Sequence, residues 1–103
     1  MAVILGRTVR DVPESEAFDA VLGVCSANDV SARWWQKEGA GGQFCRGKSF
    51  DTFCPLGPRV VPISEIDDLQ NLSIQSRVSG EVMQSSSTKL MNFTVGYLVA
   101  ELS

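Results

Sequence analysis

From Arg46 to Pro58 the chain reads RGKSFDTFCPLGP, and the end of that stretch restricts what it can become. Pro55 and Pro58 fix φ, remove two backbone donors and push the residues before them out of helical space, and Gly57 loosens the backbone between them, so a long helix is excluded. The residues ahead of these breakers carry chemistry. Gly47 permits close approach of the backbone to a ligand, or a positive φ. Lys48 supplies a compact cation, and Asp51 and Thr52 place two oxygen-bearing side chains within four residues of it. An irregular loop that gathers such groups is where a site is expected.

Any chemistry on this loop has to proceed without an imidazole, because the 103 residues include no histidine. Ser-His-Asp and Cys-His nucleophile systems and histidine-ligated metals are therefore excluded for this chain alone, and a metal would have to be held by oxygen. Cys25, Cys45 and Cys54 are odd in number and form no CxxC pair, so they read as reduced thiols rather than a zinc site, in a cytoplasmic or mitochondrial setting. A net charge of −3 and a pI near 4.8 argue against binding nucleic acid by phosphate neutralisation, and an anionic ligand must meet a local cation. With 44% hydrophobic and 20% charged residues, the chain is of ordinary globular composition, sized for a single domain over 1–103 with a thin core. No apolar run approaches the ~20 residues a bilayer requires, so no membrane association is expected. The opening MAVILGRTVRD is too short in its apolar part for a secretory signal.

Periodicity places the elements. Ala2 to Leu5 is a short β-branched run suited to a buried strand, and a chain that starts directly on a core strand reads as cut. Pro13, followed by Glu14 and Glu16, marks a helix start with Ala17, Phe18 and Val21 on its apolar side. Val21 to Ala27 predicts a second strand that delivers Asn28 and Asp29 at its end. Ser31 to Lys37 follows a helical pattern with Ser31 as N-cap, and a helix that begins early enough aligns Asp29, Arg33 and Gln36 at i, i+4 and i+7. Glu38 to Gly42 is a glycine-rich loop, Val60 to Ile63 a strand interrupted by Pro62, and Asp67 to Asn71 a turn. Leu72–Val78 and Glu81–Ser86 flank Ser79-Gly80 as a hairpin in which Val78 faces Glu81 and Ile74 faces Ser85, with one mostly apolar inner strand. Val95, Leu98, Val99 and Leu102 form the apolar stripe of a helix opened by Thr94.

Each candidate group has a plainer reading. Gly42 to Ser49 satisfies GxxxxGK[ST], yet the phosphate-binding loop needs a buried strand before it and a helix after it, and neither flank qualifies. Asp29, Arg33 and Gln36 can be a solvated helix face on which an ion pair contributes ~0.3 to 0.5 kcal/mol. They can equally set a carboxylate for a hard cation beside a guanidinium and an amide for an organic acid. Lys48 can be a surface lysine or the cation that steadies a developing enolate. Trp34 and Trp35 read as packing residues of which one is partly exposed, Arg77 and Glu81 as surface charges, and Cys54 as a small buried filler.

Three segments together resemble the fumarylacetoacetate hydrolase family: ANDVSARWWQ (Ala27–Gln36), RGKSFDTFCPLGP (Arg46–Pro58) and RVSGEVMQ (Arg77–Gln84). The likeness runs from Ala2 to Ser103 and over Gly47 to Pro58 is most similar to the fumarylacetoacetate hydrolase domain-containing proteins. It implies a mixed α+β fold, mainly β, forming part of a mixed β-roll with short helices. It also implies a homodimeric, magnesium-, manganese- or calcium-dependent enzyme acting on small-molecule oxo-acids. By position, Asp29 matches a metal ligand, Lys48 the catalytic lysine, Thr52 a threonine that with the lysine lies near the cation, and Arg33 and Gln36 substrate-binding residues. The family's histidine–glutamate base pair is missing. Its Glu-x-Glu ligands would lie before Met1 and its TGTP loop beyond Ser103, so the chain reads as a middle piece. Trp34 stands where the family has aspartate, and Tyr97 where a glutamate would complete a capping box.

The function expected on these grounds is a metal-dependent hydrolase or decarboxylase of β-diketo or oxo-acids, of acylpyruvate, fumarylacetoacetate or oxaloacetate type. Activity should be low for the isolated chain, since one carboxylate of a set of three holds magnesium poorly. The alternative is a truncated, non-catalytic homologue that pairs with other subunits through exposed strand edges.

Overall fold

The computed structural model describes residues 1–103. Five strands, one α-helix and a series of short tight helical turns follow one another along the chain, a mixed α+β architecture in which strands dominate. β1 (Ala2–Leu5), β2 (Val21–Ala27) and β3 (Leu56–Pro62) form a three-stranded sheet in that order, and β4 (Ser73–Val78) pairs with β5 (Glu81–Ser87) in a separate two-stranded sheet. The chain divides into two compact units, one of Met1–Ala2 with Cys25–Val60 and one of Val3–Val24 with Val61–Ser103.

The second unit owes its core to small residues. Glu14–Ala20 winds as a 3-10 helix after Pro13, not as an α-helix, and at three residues per turn positions 17 and 20 stack on one side. Ala17 and Ala20 are accordingly buried, whereas Phe18, expected on the apolar side, is 42% exposed. The α-helix α1 (Val95–Leu102) packs on this turn through Val95, Gly96 and Val99. A Cβ on Gly96 would come within 3.2 Å of the Phe18 ring, so the absence of a side chain sets how closely the two helical segments approach. Thr94 caps α1 as expected, accepting from Tyr97 N at 3.0 Å, and its hydroxyl donates to Glu14 Oε1 at 2.7 Å. Thr88, almost wholly buried, donates to the Leu69 carbonyl and accepts from Leu72 N, both at 2.8 Å, latching the entrance of β4 to the exit of β5.

The hairpin departs from its expected register. Val78 does face Glu81, and Ser79 and Gly80 both take positive φ (52° and 88°), which suits the twist of a two-residue loop. A bulge between Ser76 and Arg77 then shifts the pairing, so Ile74 faces Ser86 and not Ser85. The extra residue is on β5, where Arg77 pairs with Val82 and Ser76 with Gln84, leaving Met83 unopposed. The apolar residues of the hairpin are not buried within this chain: Ile74 and Val78 on β4 and Val82 and Met83 on β5 are all exposed.

Within the same unit β2 meets β3 at a glycine. A Cβ on Gly23 would lie 2.1 Å from the Val61 carbonyl oxygen and 2.8 Å from its carbon, distances that only a backbone shift could relieve. Gly23→Ala should therefore lower unfolding stability by about 3 kcal/mol, the upper range for overpacking a tight interior, read as a fall in the urea midpoint. An unchanged midpoint would contradict this packing.

Candidate active site

The first unit brings four of the five expected site residues together in two bonded pairs. β2 ends at Ala27, and Asn28 N donates to the Pro55 carbonyl at 3.2 Å, which ties the end of the strand to the proline-closed loop. Asp29 follows in extended chain. Its carboxylate forms an ion pair with the Lys48 ammonium across 19 residues of sequence. The Asp29 side chain is 69% exposed and that of Lys48 33%, so the pair contributes at most about 0.2 to 1 kcal/mol to stability. Its significance lies in where it holds a charge.

The helical turn starts at Arg33, later than the aligned stripe would need: Arg33–Trp34 has α geometry and Trp35–Gly39 is a π-helix, a wider winding that recurs at functional sites. Asp29 is thus not on the helix. Ser31 is not its cap either, because its hydroxyl donates to the Asp29 carbonyl at 3.2 Å and so braces the turn ahead of the helix. Arg33 and Gln36, at i and i+3, do meet: Arg33 Nη1 donates to Gln36 Oε1 at 2.7 Å. Gln36 is only 5% exposed. With its oxygen engaged by Arg33, its Nε2 amide finds no acceptor in the protein, and it is not sealed from solvent. A buried, pre-oriented donor of this kind suits a ligand oxygen.

Gly47 joins the two pairs. Ala32 N donates to the Gly47 carbonyl at 2.8 Å, and a Cβ on Gly47 would sit 2.9 Å from Gln36 N and 3.0 Å from Gln36 Cα. The glycine is needed for close backbone approach within the protein, not for a positive φ, which it does not adopt. Arg46–Lys48 is a single 3-10 turn closed by Lys48 N on the Cys45 carbonyl. No strand precedes it and no α-helix follows, so Gly42–Ser49 lacks the geometry of a phosphate loop.

Thr52 stands apart from both pairs. It lies in the Phe50–Phe53 turn with φ at +68°, exposed, and no hydrogen bond joins it to Asp29 or Lys48. A β-branched residue in left-handed space is costly and is retained where a side chain matters more than local comfort. Cys54 also has positive φ (61°) and is exposed, so it is not a buried filler: the turn chemistry of this loop points it outward.

An aromatic ladder, not anticipated from sequence beyond the two tryptophans, supports the same region. Trp34 meets Trp35 edge-on at 4.9 Å, Trp35 meets Phe50 at 5.9 Å and Phe50 meets Phe53 at 5.5 Å, and the Arg46 guanidinium lies 4.5 Å above the Trp35 ring. Trp34 is the more exposed of the tryptophans, at 57%. Sequence separation hides Arg46 from Trp35, and only the docking of the loop on the helix joins them.

A divalent cation fits this set poorly. Asp29 is the only carboxylate in the bonded cluster, it is already paired, and nowhere do three His, Cys, Asp or Glu side chains gather with ligating geometry. Hard cations are held by several oxygens.

The chain is thus a mixed α+β structure of mostly strands in which one compact unit holds a paired lysine, an arginine bonded to a glutamine and a nearly buried amide. The family model described as fumarylacetoacetate (FAA) hydrolase C-terminal matches residues 1–103, and the chain belongs to that family. It spans about a third of the length of the curated relatives it matches: four Burkholderia proteins are 46 to 48% identical over 103 residues, 36% of their own length. The protein named oxaloacetate tautomerase fahd2, mitochondrial, of Xenopus laevis is 44% identical over 100 residues, covering 97% of this chain and 31% of that protein. Among solved structures, the 2-hydroxyhepta-2,4-diene-1,7-dioate isomerase of Mycobacterium marinum superposes with a TM-score of 0.89 at 40% identity, covering 98% of this chain and 38% of that one. The fumarylacetoacetate hydrolase of Exiguobacterium antarcticum gives 0.88 at 44%, covering 98% and 35%. No helix of the chain is long and apolar enough to cross a membrane.

Substitutions at two positions test this geometry. Gly47→Ala should cost about 1 to 3 kcal/mol of stability, seen in denaturant unfolding, with loss of the side-chain NMR signature of the Arg33–Gln36 bond. Thr52→Gly should be about 1 kcal/mol more stable than Thr52→Ala, since both lack the hydroxyl and only glycine accepts the left-handed backbone freely. Equal stabilities would show that Thr52 is not held in that conformation.

Proposed function

We propose that this chain forms the substrate-binding wall of an enzyme acting on β-diketo or oxo-acids, in reactions that pass through an enolate. The observation that carries the proposal is the docking of Gly47 on Gln36, which brings the turn that carries Lys48 against the helical turn that carries Arg33 and a free amide donor, in one compact unit. An oxo-acid offers the complementary groups: a carboxylate and an adjacent carbonyl oxygen that gains negative charge.

Each residue has a role in this reading. Arg33, steadied through Nη1 by Gln36, keeps its remaining N–H donors for the substrate carboxylate, which a guanidinium matches in two-point fashion. Gln36 Nε2 donates a further hydrogen bond that fixes the orientation of the bound acid. The Lys48 ammonium faces the carbonyl oxygen and holds the electron pair that moves onto it when the neighbouring carbon–carbon or carbon–hydrogen bond breaks. That step is shared by hydrolysis, decarboxylation and keto–enol tautomerisation, the last being the activity in the name of the Xenopus relative. The proton-transfer base has to come from outside this set, because the chain has no histidine and the one carboxylate beside the site is bound to Lys48. Magnesium, manganese or calcium dependence belongs to the resemblance; the residues gathered here do not make that site, and no step is assigned to it. We extend the proposal to a single partial domain that works as a homodimer.

A second reading has its own support. Val78, Val82 and Met83 of the β4–β5 hairpin are apolar residues left exposed, and an exposed apolar hairpin suits a non-catalytic homologue that pairs with other subunits.

The full-length protein should turn over oxaloacetate or an acylpyruvate, followed by loss of the enol absorbance. Arg33→Ala is expected to lower kcat/KM by about 10- to 100-fold, mainly through KM, as for a lost charged hydrogen bond. Lys48→Ala should lower kcat by about 100-fold or more. Turnover unaffected by Lys48→Ala would remove Lys48 from the chemistry, and no turnover of any oxo-acid would favour the non-catalytic reading.

A further inference from the structure

The Arg46–Lys48 turn meets the helical segment at its middle residue: the Gly47 carbonyl accepts from Ala32 N at 2.8 Å, and the Gly47 backbone lies against Gln36. Attachment at one residue fixes where the turn sits but lets it rock about that point. Arg46 and Lys48 flank the pivot, so whatever anchors Arg46 settles the direction in which Lys48 is presented. We propose that Arg46 is a positioning residue: its guanidinium, stacked on Trp35, sets the tilt of the turn and thereby the place of the Lys48 ammonium. The proposal rests on reading Lys48 as the group that holds enolate charge, and it adds what keeps that group in place.

Three observations carry it. First, the Arg46 Cζ lies 4.5 Å from the centroid of the Trp35 ring, well within reach of a cation–π contact. The two ion pairs of the chain are Arg10–Asp11 and Lys48–Asp29, so no carboxylate competes with the ring for this guanidinium. Second, Trp35 is a fixed anchor. It is half-buried, it meets Trp34 edge-on at 4.9 Å and Phe50 at 5.9 Å, and it opens the π-helix that contains Gln36. Third, the contact joins the two segments of the site, because Trp35 belongs to the helical turn of Arg33 and Gln36 and Arg46 heads the turn of Lys48. A flat guanidinium on a flat ring constrains direction as well as distance, which a lysine ammonium in the same place would not. Arg46 is exposed, so its removal opens no cavity and leaves the backbone contact at Gly47 intact.

The test uses the full-length protein and two readouts: turnover of oxaloacetate, and the rate at which acetic anhydride acetylates Lys48, followed by peptide mass spectrometry. Lys48 is two-thirds covered, and a turn free to swing exposes it. Arg46→Met should raise Lys48 acetylation and lower kcat by about two- to fivefold, the population shift that a surface cation–π contact can impose, with KM unchanged. Arg46→Lys should fall between Arg46→Met and the unaltered protein, and Trp35→Phe, which keeps a ring, should stay near the unaltered protein. Trp35→Leu should match Arg46→Met, and the two together should go no further than either alone, since both remove one contact. Unchanged Lys48 acetylation in Arg46→Met, a loss carried by KM, or losses that add in the double variant would each overturn the proposal; the last two are the behaviour of an arginine that attracts the substrate directly. Acetylation reports the place of Lys48 without turnover. A protein that converts no oxo-acid yet shows the coupled change at Lys48 would remove the oxo-acid reading and leave the positioning by Arg46 standing.

Discussion

The site depends on one backbone approach, that of Gly47 to Gln36. With no Cβ at residue 47, the Arg46–Lys48 turn lies directly against the π-wound helix, at a distance where an alanine Cβ would be 2.9 Å from the Gln36 nitrogen. The Ala32 amide on the Gly47 carbonyl locks the arrangement. From this single constraint follow the burial of Gln36, the placement of Lys48 opposite Asp29 and the stacking of Arg46 over Trp35. None of these side-chain interactions would bring the two segments together unaided, since an exposed ion pair and a cation–π contact are each worth about 1 kcal/mol or less. Backbone fit and the aromatic ladder hold the loop, and the charged groups are carried into position by it.

The polar groups divide into those that are satisfied and those left available. Arg33 spends one donor on Gln36, which fixes the planar fork without consuming it, and Gln36 keeps its amide nitrogen free in an almost fully covered position. Asp29 and Lys48 consume one another. On the proposed reading, arginine and amide donors beside a lysine that is already neutralised suit an anion able to compete for the ammonium, as an oxo-acid would. Thr52 and Cys54, both in left-handed space one turn further on, show that the loop carries backbone cost beside the site, as strained residues elsewhere cluster near function.

The second unit is organised by different physics. Its core consists of small and medium residues, Ala17, Ala20, Val95 and Val99 among them, and no large side chain of the chain is completely buried. Hydrogen bonds from Thr88, Thr94 and Gln70 position its turns, while the β4–β5 hairpin offers apolar residues to no partner within the chain. The family relatives are roughly three times as long as the segment they share with it.

Much of the local structure was legible in the sequence, because it is governed by rules that act over a few residues. The Val21–Ala27 strand, the Ser79-Gly80 loop and the Thr94 cap were readable from alternation, turn chemistry and capping, and the residue types at 29, 33, 36 and 48 marked candidate acid, cation and amide groups. What could not be read was set by contacts remote in sequence or by a choice among near-equal helical windings. The 3-10 turn that exposes Phe18, the bulge that moves Ile74 opposite Ser86, the outward Cys54 and the late helix start that takes Asp29 off the stripe all belong here. The sequence by itself therefore determined which chemical groups the chain possesses and most of its strands. Only the tertiary structure decided that Lys48 neutralises Asp29 and that Arg33 orients Gln36, because these pairings require the backbone at Gly47 to reach Gln36, and no short-range pattern encodes a close approach between segments so far apart.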